Sequence, residues 1–378
     1  MKKKKIGLTL MMVALVGLLV AFAIGVFMSN RQDTPTGNLA DVEWYDENQE
    51  EFTITTAEEL YDVVTLSYFY DFSGQTIKLG ADIVVNEGNA EEWSEKAPKR
   101  KWHPIRDFAG TFDGQGHSIS GIYGFSADTA MGMFANTKKS CVIQDFKLLN
   151  SYFETDGDLG TGSIAANCGG TFKKIYSDAI IQCDGGKVAG LVSKVLDDST
   201  IEECWFAGSI SSSRRFGGGI VDGVWGAKVT IAHCLNTGSI YNDFTYQSCS
   251  IGGICGVAVK GGTLVVDDCL NVGTLETVNQ VRVGSVVGGS DSNTISMVTN
   301  SFGTTESSKV AISTVISNLT GGAIQVDEVK LKGYGGYQWT TLDFDKYWTT
   351  VTDDTPILQC FADEVQSLES VEKCFDTS

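Results

Sequence analysis

The chain has 378 residues, of which 43 are glycine and four are proline, a balance typical of a turn-rich β protein rather than a collagen or a linker. Its formal net charge is −19. Because residues 1–31 hold five basic residues and no acid, the remainder has 23 basic against 47 acidic residues, a net charge of −24. That acidity excludes nucleic acid as a partner, since phosphate binding needs a basic surface.

The first predicted element is an apolar segment at the N-terminus. Lys2–Lys5 precede an uncharged run over residues 6–28. A helix of that length rises by about 35 Å, enough to cross a hydrocarbon core of about 30 Å. We therefore predict a signal anchor in residues 1–31, with its lysine tail in the cytoplasm and the C-terminal domain outside the cell. The alternative is secretion after cleavage near Ala21-Phe22-Ala23.

A polar linker and a helix follow the predicted anchor. Residues 32–54 form the linker. Thr56-x-x-Glu59 is a capping box ahead of an apolar stretch, which predicts a helix near residues 56–69. A stack of strands has open ends that need covering, so we interpret residues 55–107 as an N-terminal cap.

The segment FDGQGH at residues 112–117 predicts a tight turn between two strands. One carboxylate and one histidine are too few for a calcium cage, which takes about six to eight oxygen ligands. We therefore interpret His117 as a structural corner residue and predict no metal site.

The middle of the chain repeats one phrase about every 30 residues, with copies beginning near residues 188, 216, 251 and 283. Each copy has a small–Gly–aliphatic–aliphatic half and an apolar-x-x-Cys-x-x-x-Gly-x-apolar half. Such units cannot bury their apolar faces alone and must stack on one another. Residues 108–326 are therefore predicted to form an all-β parallel β-helix of about seven or eight coils. One column of the repeat contains Cys204, Cys234, Cys269 and Thr299.

Two of these copies, GGGIVDGVWGAKVTIAHCLNTGSI and GGICGVAVKGGTLVVDDCLNVGTL, resemble the GLUG-motif repeats of bacterial surface proteins. Residues 57–83 and 108–124 resemble other parts of the same proteins, so the resemblance covers roughly residues 55–358. It implies a right-handed parallel β-helix at the bacterial cell surface, a setting associated with adhesion. Some relatives are surface peptidases, but this chain has no HExxH motif.

The C-terminal part, residues 327–378, is rich in aromatic residues and then acidic. Its Trp residues and its Pro356-Ile357-Leu358 segment resemble the closing segment of such repeats. We interpret it as a C-terminal cap with an acidic tail.

The recurrent cysteines are interpreted as structural. Cys204, Cys234 and Cys269 fall on the buried alternation of the strands, where free cysteine behaves as a small hydrophobe. Only Cys249/Cys255 and Cys360/Cys374 are candidates for bridging. The chain has no CxxC pair, so no metal site is predicted.

Asn236 and Asn271 share the column two residues after the cysteines. If these side chains point inward, their amides can hydrogen-bond along the stack as an asparagine ladder.

The column just before the cysteines contains Lys174, Glu203, His233 and Asp268. If it lies at a corner, Glu203, His233 and Asp268 form a candidate surface row that binds a glycan or a metal. The same row can also supply a carboxylate pair, about 10 Å apart, for polysaccharide cleavage. The alternative, which we favour, is a solvated row without chemistry.

Tryptophan is the other candidate for sugar recognition, and Trp205 follows the buried column directly, so it is predicted to face outward. Trp225 and Trp339 are further candidates, and the alternative for all three is packing.

No serine-hydrolase elbow, phosphate-binding loop or dinucleotide fingerprint occurs, so no nucleotide partner, cofactor or catalytic residue is predicted. We predict a non-catalytic binding, adhesion or scaffold protein that contacts extracellular carbohydrate or protein. The alternative is a polysaccharide lyase or hydrolase, and a third possibility is a passive stalk.

Overall fold

A computed structural model describes residues 42–362, apart from residues 128, 214, 246–248, 279–281, 314–315 and 317. The predicted anchor at residues 6–28 lies outside the described residues. None of the helices in the described part is both long and apolar enough to span a bilayer.

The described chain is a parallel β-solenoid, which confirms the predicted architecture. The largest sheet has 19 strands, all paired in parallel. In chain order they are Glu51–Ile54, Thr76–Leu79, Ile83–Val84, Thr111–Asp113, Ser118–Ser120, Phe134–Asn136, Val142–Leu149, Ala165–Ser177, Val192–Glu202, Trp205–Phe206, Val221–Trp225, Lys228–Ala232, Leu235–Asn236, Cys255–Val259, Thr263–Asp267, Leu270–Asn271, Val287–Ser290, Ile295–Thr304 and Leu319–Val326.

Two smaller parallel sheets complete the turns. The six-stranded sheet contains Tyr123–Ser126, Tyr152–Thr155, Ile180–Cys183, Ser209–Ser212, Ser239–Asn242 and Leu275–Thr277. The five-stranded sheet contains Thr161–Gly162, Val188–Ala189, Phe216–Gly218, Ser250–Gly252 and Val283–Gly284. Because each turn contributes one strand to the six-stranded sheet, the solenoid has about six turns that carry all of its faces.

One buried column of the large sheet shows how the turns stack. Its members pair in register from one turn to the next, and all are buried: Phe52, Ile77, Phe112, Ile143, Phe172, Ile201, Ile231, Val266 and Val298. Burying one such side chain stabilises the fold by about 1.5–3 kcal/mol. This column is one wall of the continuous core that the repeat predicted.

A second column marks the corner that joins two faces of the large sheet. Its residues have left-handed backbones with φ between 44° and 58°: Asp145, Lys174, Glu203, His233, Asp268 and Asn300. Such a conformation costs a non-glycine residue about 1 kcal/mol or more, and asparagine, aspartate and histidine tolerate it best. Successive turns therefore have the same backbone conformation at this corner, although the side chain differs from one turn to the next.

Strand pairing around this corner shows that the register predicted for the last repeat was wrong. Asp267 pairs with Thr299, and Leu270 pairs with Phe302, so Ser301 lies beside Cys269. The Cys269 N–H donates to Ser301 Oγ at 3.2 Å. The assignment of Thr299 to the cysteine column was therefore wrong by two residues.

An α-helix at Ala57–Leu66 follows the first strand, Glu51–Ile54, in the region predicted to be helical. Its capping box is present, because Glu59 N–H donates to Thr56 Oγ1 at 3.2 Å and Thr56 N–H donates to Glu59 Oε2 at 3.0 Å. The helix buries Leu60 and Val63 in the main core. A 3₁₀ turn at Ala90–Glu92 lies in the excursion that follows.

Residues 327–362, named here the C-terminal segment, pack on the side of the solenoid. The segment contains the helices Glu328–Leu331 and Gly335–Trp339, an antiparallel hairpin of Trp348–Val351 with Asp354–Leu358, and the 3₁₀ turn Gln359–Phe361. Its apolar side chains form a second core with the outward residues of successive turns: Trp205, Leu235, Leu270 and Phe302. The segment was expected to close the end of the stack, but its described part covers a lateral face.

The last strand, Leu319–Val326, differs from those before it. Among the described residues it pairs only with Ile295–Thr304, and most of its side chains are exposed, with Ile324 at 57%. The described part of the C-terminal segment therefore leaves most side chains of this strand exposed.

Candidate functional site

The predicted row lies at the solenoid corner, but the C-terminal segment covers it. Asp268 is only 3% exposed. Its Oδ2 accepts hydrogen bonds from Trp348 Nε1 at 2.7 Å and lies 2.9 Å from His233 Nδ1, while its Oδ1 accepts from the Asp343 N–H at 3.0 Å. Three donors thus occupy this carboxylate, and it is unavailable to an external substrate.

The other two members of the row are also engaged within the molecule. The His233 ring stacks on the Tyr347 ring, with centroids 3.5 Å apart and planes at 16°. Glu203 Oε1 lies 3.3 Å from Lys173 Nζ, and the Glu203 side chain is 14% exposed. The prediction of a surface row is therefore corrected to a docking row, because the apolar residues that follow each corner attract a covering segment.

Trp205 faces outward, as predicted, but it is 8% exposed and packs beneath the C-terminal segment. Its indole N–H donates to Thr237 Oγ1 at 2.8 Å. Its ring contacts Tyr176 and Phe361 edge-on, at centroid distances of 5.2 and 6.1 Å. The prediction of a sugar-stacking face on Trp205 is corrected, since neighbouring rings and the segment leave no open face.

The thiols of the cysteine column are buried in the core. Cys204, Cys234 and Cys269 have no exposed surface. Each Sγ lies 3.2 Å from the carbonyl oxygen two residues earlier, at Glu202, Ala232 and Asp267 respectively. Burial raises the pKa of the Cys234 thiol well above its usual range. The three side chains therefore fill the core as small hydrophobes.

The pairs singled out for bridging show no disulfide in the described part of the chain. Cys249 and Cys255 are both free and buried, and Cys360 is free. Cys374 lies outside the described residues.

The two asparagines form an inward hydrogen-bonded pair. Asn236 Nδ2 donates to Asn271 Oδ1 at 2.6 Å, and Asn271 Nδ2 donates to Ser307 Oγ at 3.1 Å. Asn236 Oδ1 accepts from the Gly238 N–H at 3.1 Å. Both side chains are fully buried, so these bonds offset the cost of removing the amides from water.

A cleft of about 400 Å³ opens beside the covered row, and we name it the aromatic cleft. Its lining is Asp82, Gly116, His117, Ser118, Lys147, Leu149, Tyr176, Trp205 and Phe361. The volume falls within the range of small-molecule sites. It combines three aromatic side chains, of which Phe361 comes from the C-terminal segment, with polar side chains contributed by successive turns.

The polar rim of the aromatic cleft is built around Asp82. Asp82 Oδ1 accepts from the Ser118 N–H at 2.8 Å and lies 3.5 Å from His117 Nδ1. The Ser118 hydrogen bond lowers the pKa of Asp82, so this carboxylate is ionised at neutral pH. Burial raises the pKa of Tyr176 to about 12, so its phenol remains a hydrogen-bond donor.

A second cleft, of about 480 Å³, lies over the six-stranded sheet and is named the polar cleft. Its side-chain lining includes Asn89, Glu91, Asn150, Asp178, Ser209, Thr237 and Ser239. Burial raises the pKa of Asp178, although its Oδ1 accepts from the Asn150 N–H at 2.7 Å. The cleft therefore places a carboxyl with a raised pKa near a second carboxyl, that of Glu91.

The sequence reasoning missed most of the aromatic cleft. Lys147, Tyr176 and Trp205 pair in register on one outward column, 29 residues apart, and that spacing could have identified them. Phe361 has no such spacing signal, because it lies outside the repeats and reaches the cleft through contacts with residues distant in the sequence. No three histidine, cysteine, aspartate or glutamate side chains in the described ranges cluster as metal ligands.

Comparison with known proteins gives limited matches. No family model matches the chain, so the GLUG resemblance stays a prediction. Halomucin from Haloquadratum walsbyi (strain DSM 16790 / HBSQ001) is 24% identical over 188 residues, and the match covers 48% of this chain but 2% of Halomucin.

Two solved structures align with most of this chain. A Bacteroides ovatus protein assigned as an immunoglobulin A1 protease is 18% identical and covers 83% of this chain and 94% of its own, with a TM-score of 0.47. An IgA1 protease is also 18% identical and covers 74% of this chain and 21% of its own, with a TM-score of 0.48. At these values neither structure bears on what this chain does.

Proposed function

We propose that this protein is an extracellular, non-catalytic β-solenoid that binds carbohydrate in the aromatic cleft. The observation that carries the proposal is the lining of that cleft. Tyr176 supplies the half-buried ring of that lining, backed by the buried Trp205 and Phe361, while Asp82 and His117 supply polar atoms at the rim. Sugars present both apolar ring faces and hydroxyl groups, so they suit such a mixed lining.

The carboxylate content of the aromatic cleft favours binding over cleavage. Asp82 is the carboxylate in the lining, and its lowered pKa suits a hydrogen-bond acceptor. Polysaccharide hydrolysis needs two carboxyl groups, one of them protonated. The covered row does not supply the pair, because Asp268 already accepts hydrogen bonds from the C-terminal segment.

A polysaccharide-active enzyme is the second candidate function, and the polar cleft is the observation that favours it. Asp178 has a raised pKa there, and Glu91 lines the same cleft. Glycosidases use a carboxyl group of raised pKa together with a second carboxyl group.

The setting belongs to the same proposal. Residues 6–28 anchor the protein in the membrane, or the chain is secreted after cleavage, and the solenoid acts outside the cell. We further propose that the solenoid is right-handed and belongs with the GLUG-repeat surface proteins. The alternatives within a binding or scaffold function are contact with a protein ligand, adhesion, and a passive role as a stalk.

A glycan array with the full chain tests the proposal, beside three variants. Tyr176→Ala removes a ring from the aromatic cleft and is expected to weaken the best neutral glycan about tenfold. His117→Ala removes a rim contact without touching the aromatic rings and should also weaken it. Tyr241→Ala, a matched control on the exposed outer face of the six-stranded sheet, should bind normally.

The result that would contradict the binding proposal is an array on which the Tyr176 and Tyr241 variants behave alike, or on which no glycan binds. A polysaccharide-cleavage screen addresses the second candidate. Turnover by the native chain that Asp178→Asn abolishes would establish the enzyme.

A further inference from the structure

A second aromatic side chain, Trp225, lies on a different outer face and has an unusual setting. Three lysine ammonium groups surround its ring. Lys187 Nζ is 5.2 Å from the ring centroid, Lys260 Nζ is 5.3 Å away, and Lys194 Nζ is 5.7 Å away. Cation–π contacts form at such distances, but three on one ring concentrate positive charge in one place.

The repeat brings these residues together from three successive turns. Lys194 pairs in register with Gly223, so it lies one turn before Trp225. Trp225 pairs with Val259, so Lys260 lies one turn after it. Stacked turns are about 4.8 Å apart, which places the two lysines on either side of the ring along the solenoid.

A glycine seats the indole ring against the strand. A Cβ at Gly223 would approach Trp225 Nε1 to 2.7 Å. The ring therefore lies across Gly223, and the indole N–H is buried without a hydrogen-bond partner. The strand thus holds the ring as a platform.

The neighbouring turn extends the same surface. Phe216 meets Trp225 edge-on at 6.1 Å, and the Arg215 guanidinium lies 5.4 Å from the centre of the Phe216 ring. We name the set Lys187, Lys194, Arg215, Phe216, Trp225 and Lys260 the Trp225 patch. It combines four cations and two aromatic rings on a domain of strongly negative net charge.

The lysines of the Trp225 patch form no close ion pair within the described part of the chain. No carboxylate lies within 4 Å of Lys187, Lys194 or Lys260. Burial, followed by the charges of Lys187 and Lys260, lowers the pKa of Lys194. Like charges held together without a partner are stabilised by a bound anion.

The nearest buried acid does not supply that anion. Asp222 is fully buried, and neither of its carboxylate oxygens accepts a hydrogen bond. Burial raises the pKa of Asp222 well above its usual range, and the positive charges of Lys187 and Lys194 only partly oppose that rise. Arg282 Nε, on the next turns of the five-stranded sheet, is likewise buried without a partner. The Asp222 carboxyl and Arg282 Nε are thus two buried side-chain groups without a hydrogen-bond partner in the described part of the chain.

We propose that the Trp225 patch binds an anionic polysaccharide, with a sugar ring against Trp225 and its carboxylate or sulfate groups paired with Lys187, Lys194 and Lys260. An aromatic platform with cations on both sides fits a polymer whose rings carry acidic groups at regular intervals. This inference extends the proposed carbohydrate binding to a separate face and a charged ligand class, so each proposal can fail without the other.

Equilibrium binding to the full chain tests it with four probes. Polygalacturonate carries carboxylates, dextran sulfate carries sulfates, dextran is neutral, and single-stranded DNA carries phosphates. We expect binding of polygalacturonate, dextran sulfate or both, weakened by added salt because exposed charges are screened. Neutral dextran should not bind at the Trp225 patch.

Variants assign the binding to the Trp225 patch. Lys187→Gln/Lys260→Gln should weaken the acidic polysaccharide about tenfold. The matched control Lys96→Gln/Lys99→Gln changes the net charge equally at exposed positions outside the repeats and should have no effect. Trp225→Phe keeps a ring and should bind better than Trp225→Ala, and circular dichroism of each variant excludes misfolding.

Three outcomes would overturn the proposal: no acidic polysaccharide binds, the two double variants lose binding equally, or single-stranded DNA binds as tightly as either polysaccharide. Tyr176→Ala separates the two proposals, since it should leave binding to the Trp225 patch intact. Lysine-dependent binding of an acidic polysaccharide, with no glycan whose binding depends on Tyr176, would contradict only the proposed function.

Discussion

The docking row and the Trp225 patch are two outer surfaces of the same solenoid, and both place charged side chains beside tryptophan. In the docking row, Asp268 has three donors, and the C-terminal segment buries the adjacent apolar column. In the Trp225 patch, three lysines crowd one ring without an ion-pairing carboxylate in the described chain. The charged groups of the docking row are paired within the molecule, whereas the lysines of the Trp225 patch are not ion-paired within the described residues. The first surface therefore has a structural role, and the second is a candidate binding site.

The largest effect is expected where the docking row is broken. Asp268→Ala leaves the Trp348 indole N–H and the Asp343 N–H buried without an acceptor, and it removes the partner of His233. We expect a loss of about 3–5 kcal/mol in the free energy of unfolding, measured by urea denaturation. Asp267→Ala is the control. The Asp267 carboxylate lies next to Asp268 in the chain but is half-exposed, so its removal should cost less than about 1 kcal/mol. Equal losses would contradict the docking role.

The apolar part of the same interface should give the next largest effect. Leu270→Ala leaves a cavity between the solenoid and the C-terminal segment, where Leu270 is fully buried. The expected cost is about 2–4 kcal/mol, with faster proteolytic cleavage within residues 327–362. If Leu270→Ala destabilises the chain without changing proteolysis there, the second core does not hold the segment.

The asparagine pair extends the comparison to the interior, where polar groups are also satisfied by the chain. Asn236→Leu leaves Asn271 Oδ1 without its donor at 2.6 Å and should cost about 1–3 kcal/mol. The double variant Asn236→Leu/Asn271→Leu removes both amides and should recover part of the loss. A double-mutant cycle measures that coupling, and strictly additive losses would contradict the hydrogen bond.

Glu203 should give the smallest effect of the row. Its ion pair with Lys173 Nζ at 3.3 Å is partly exposed on the lysine side, so Glu203→Gln should cost less than about 1 kcal/mol. Added salt should shrink that difference further. A cost as large as that of Asp268→Ala would mean that the row is uniformly buried, not graded from Glu203 to Asp268.

The sequence predicted the solenoid because its repeat encodes stacking directly. Cys204, Cys234 and Cys269 recur at the spacing of one turn, so their burial follows from a local pattern. The register of the last turn was predicted wrongly. Ser301 takes the place of the cysteine there, and Thr299 was chosen because it follows Cys269 at the usual repeat spacing. Periodicity therefore located the interior but failed where the repeat loses its marker residue.

The outer surfaces were harder to predict for a physical reason. Alternation shows that Trp205 and Glu203 point away from the main core, but it does not show what covers them. The cover comes from Asp343 and Trp348, 75 and 80 residues from Asp268 in the chain. Likewise, the cations around Trp225 come from adjacent turns, and only the register places them on one ring.

Hydroxyl-radical footprinting of the tryptophans, read by mass spectrometry, tests the contrast between covered and open surfaces most directly. Trp205 and Trp348 are buried between the solenoid and the C-terminal segment, Trp225 is half-buried, and Trp339 is 54% exposed. The account predicts fast oxidation of Trp339, intermediate oxidation of Trp225, and protection of Trp205 and Trp348. Oxidation of Trp205 and Trp348 at the rate of Trp339 would contradict it.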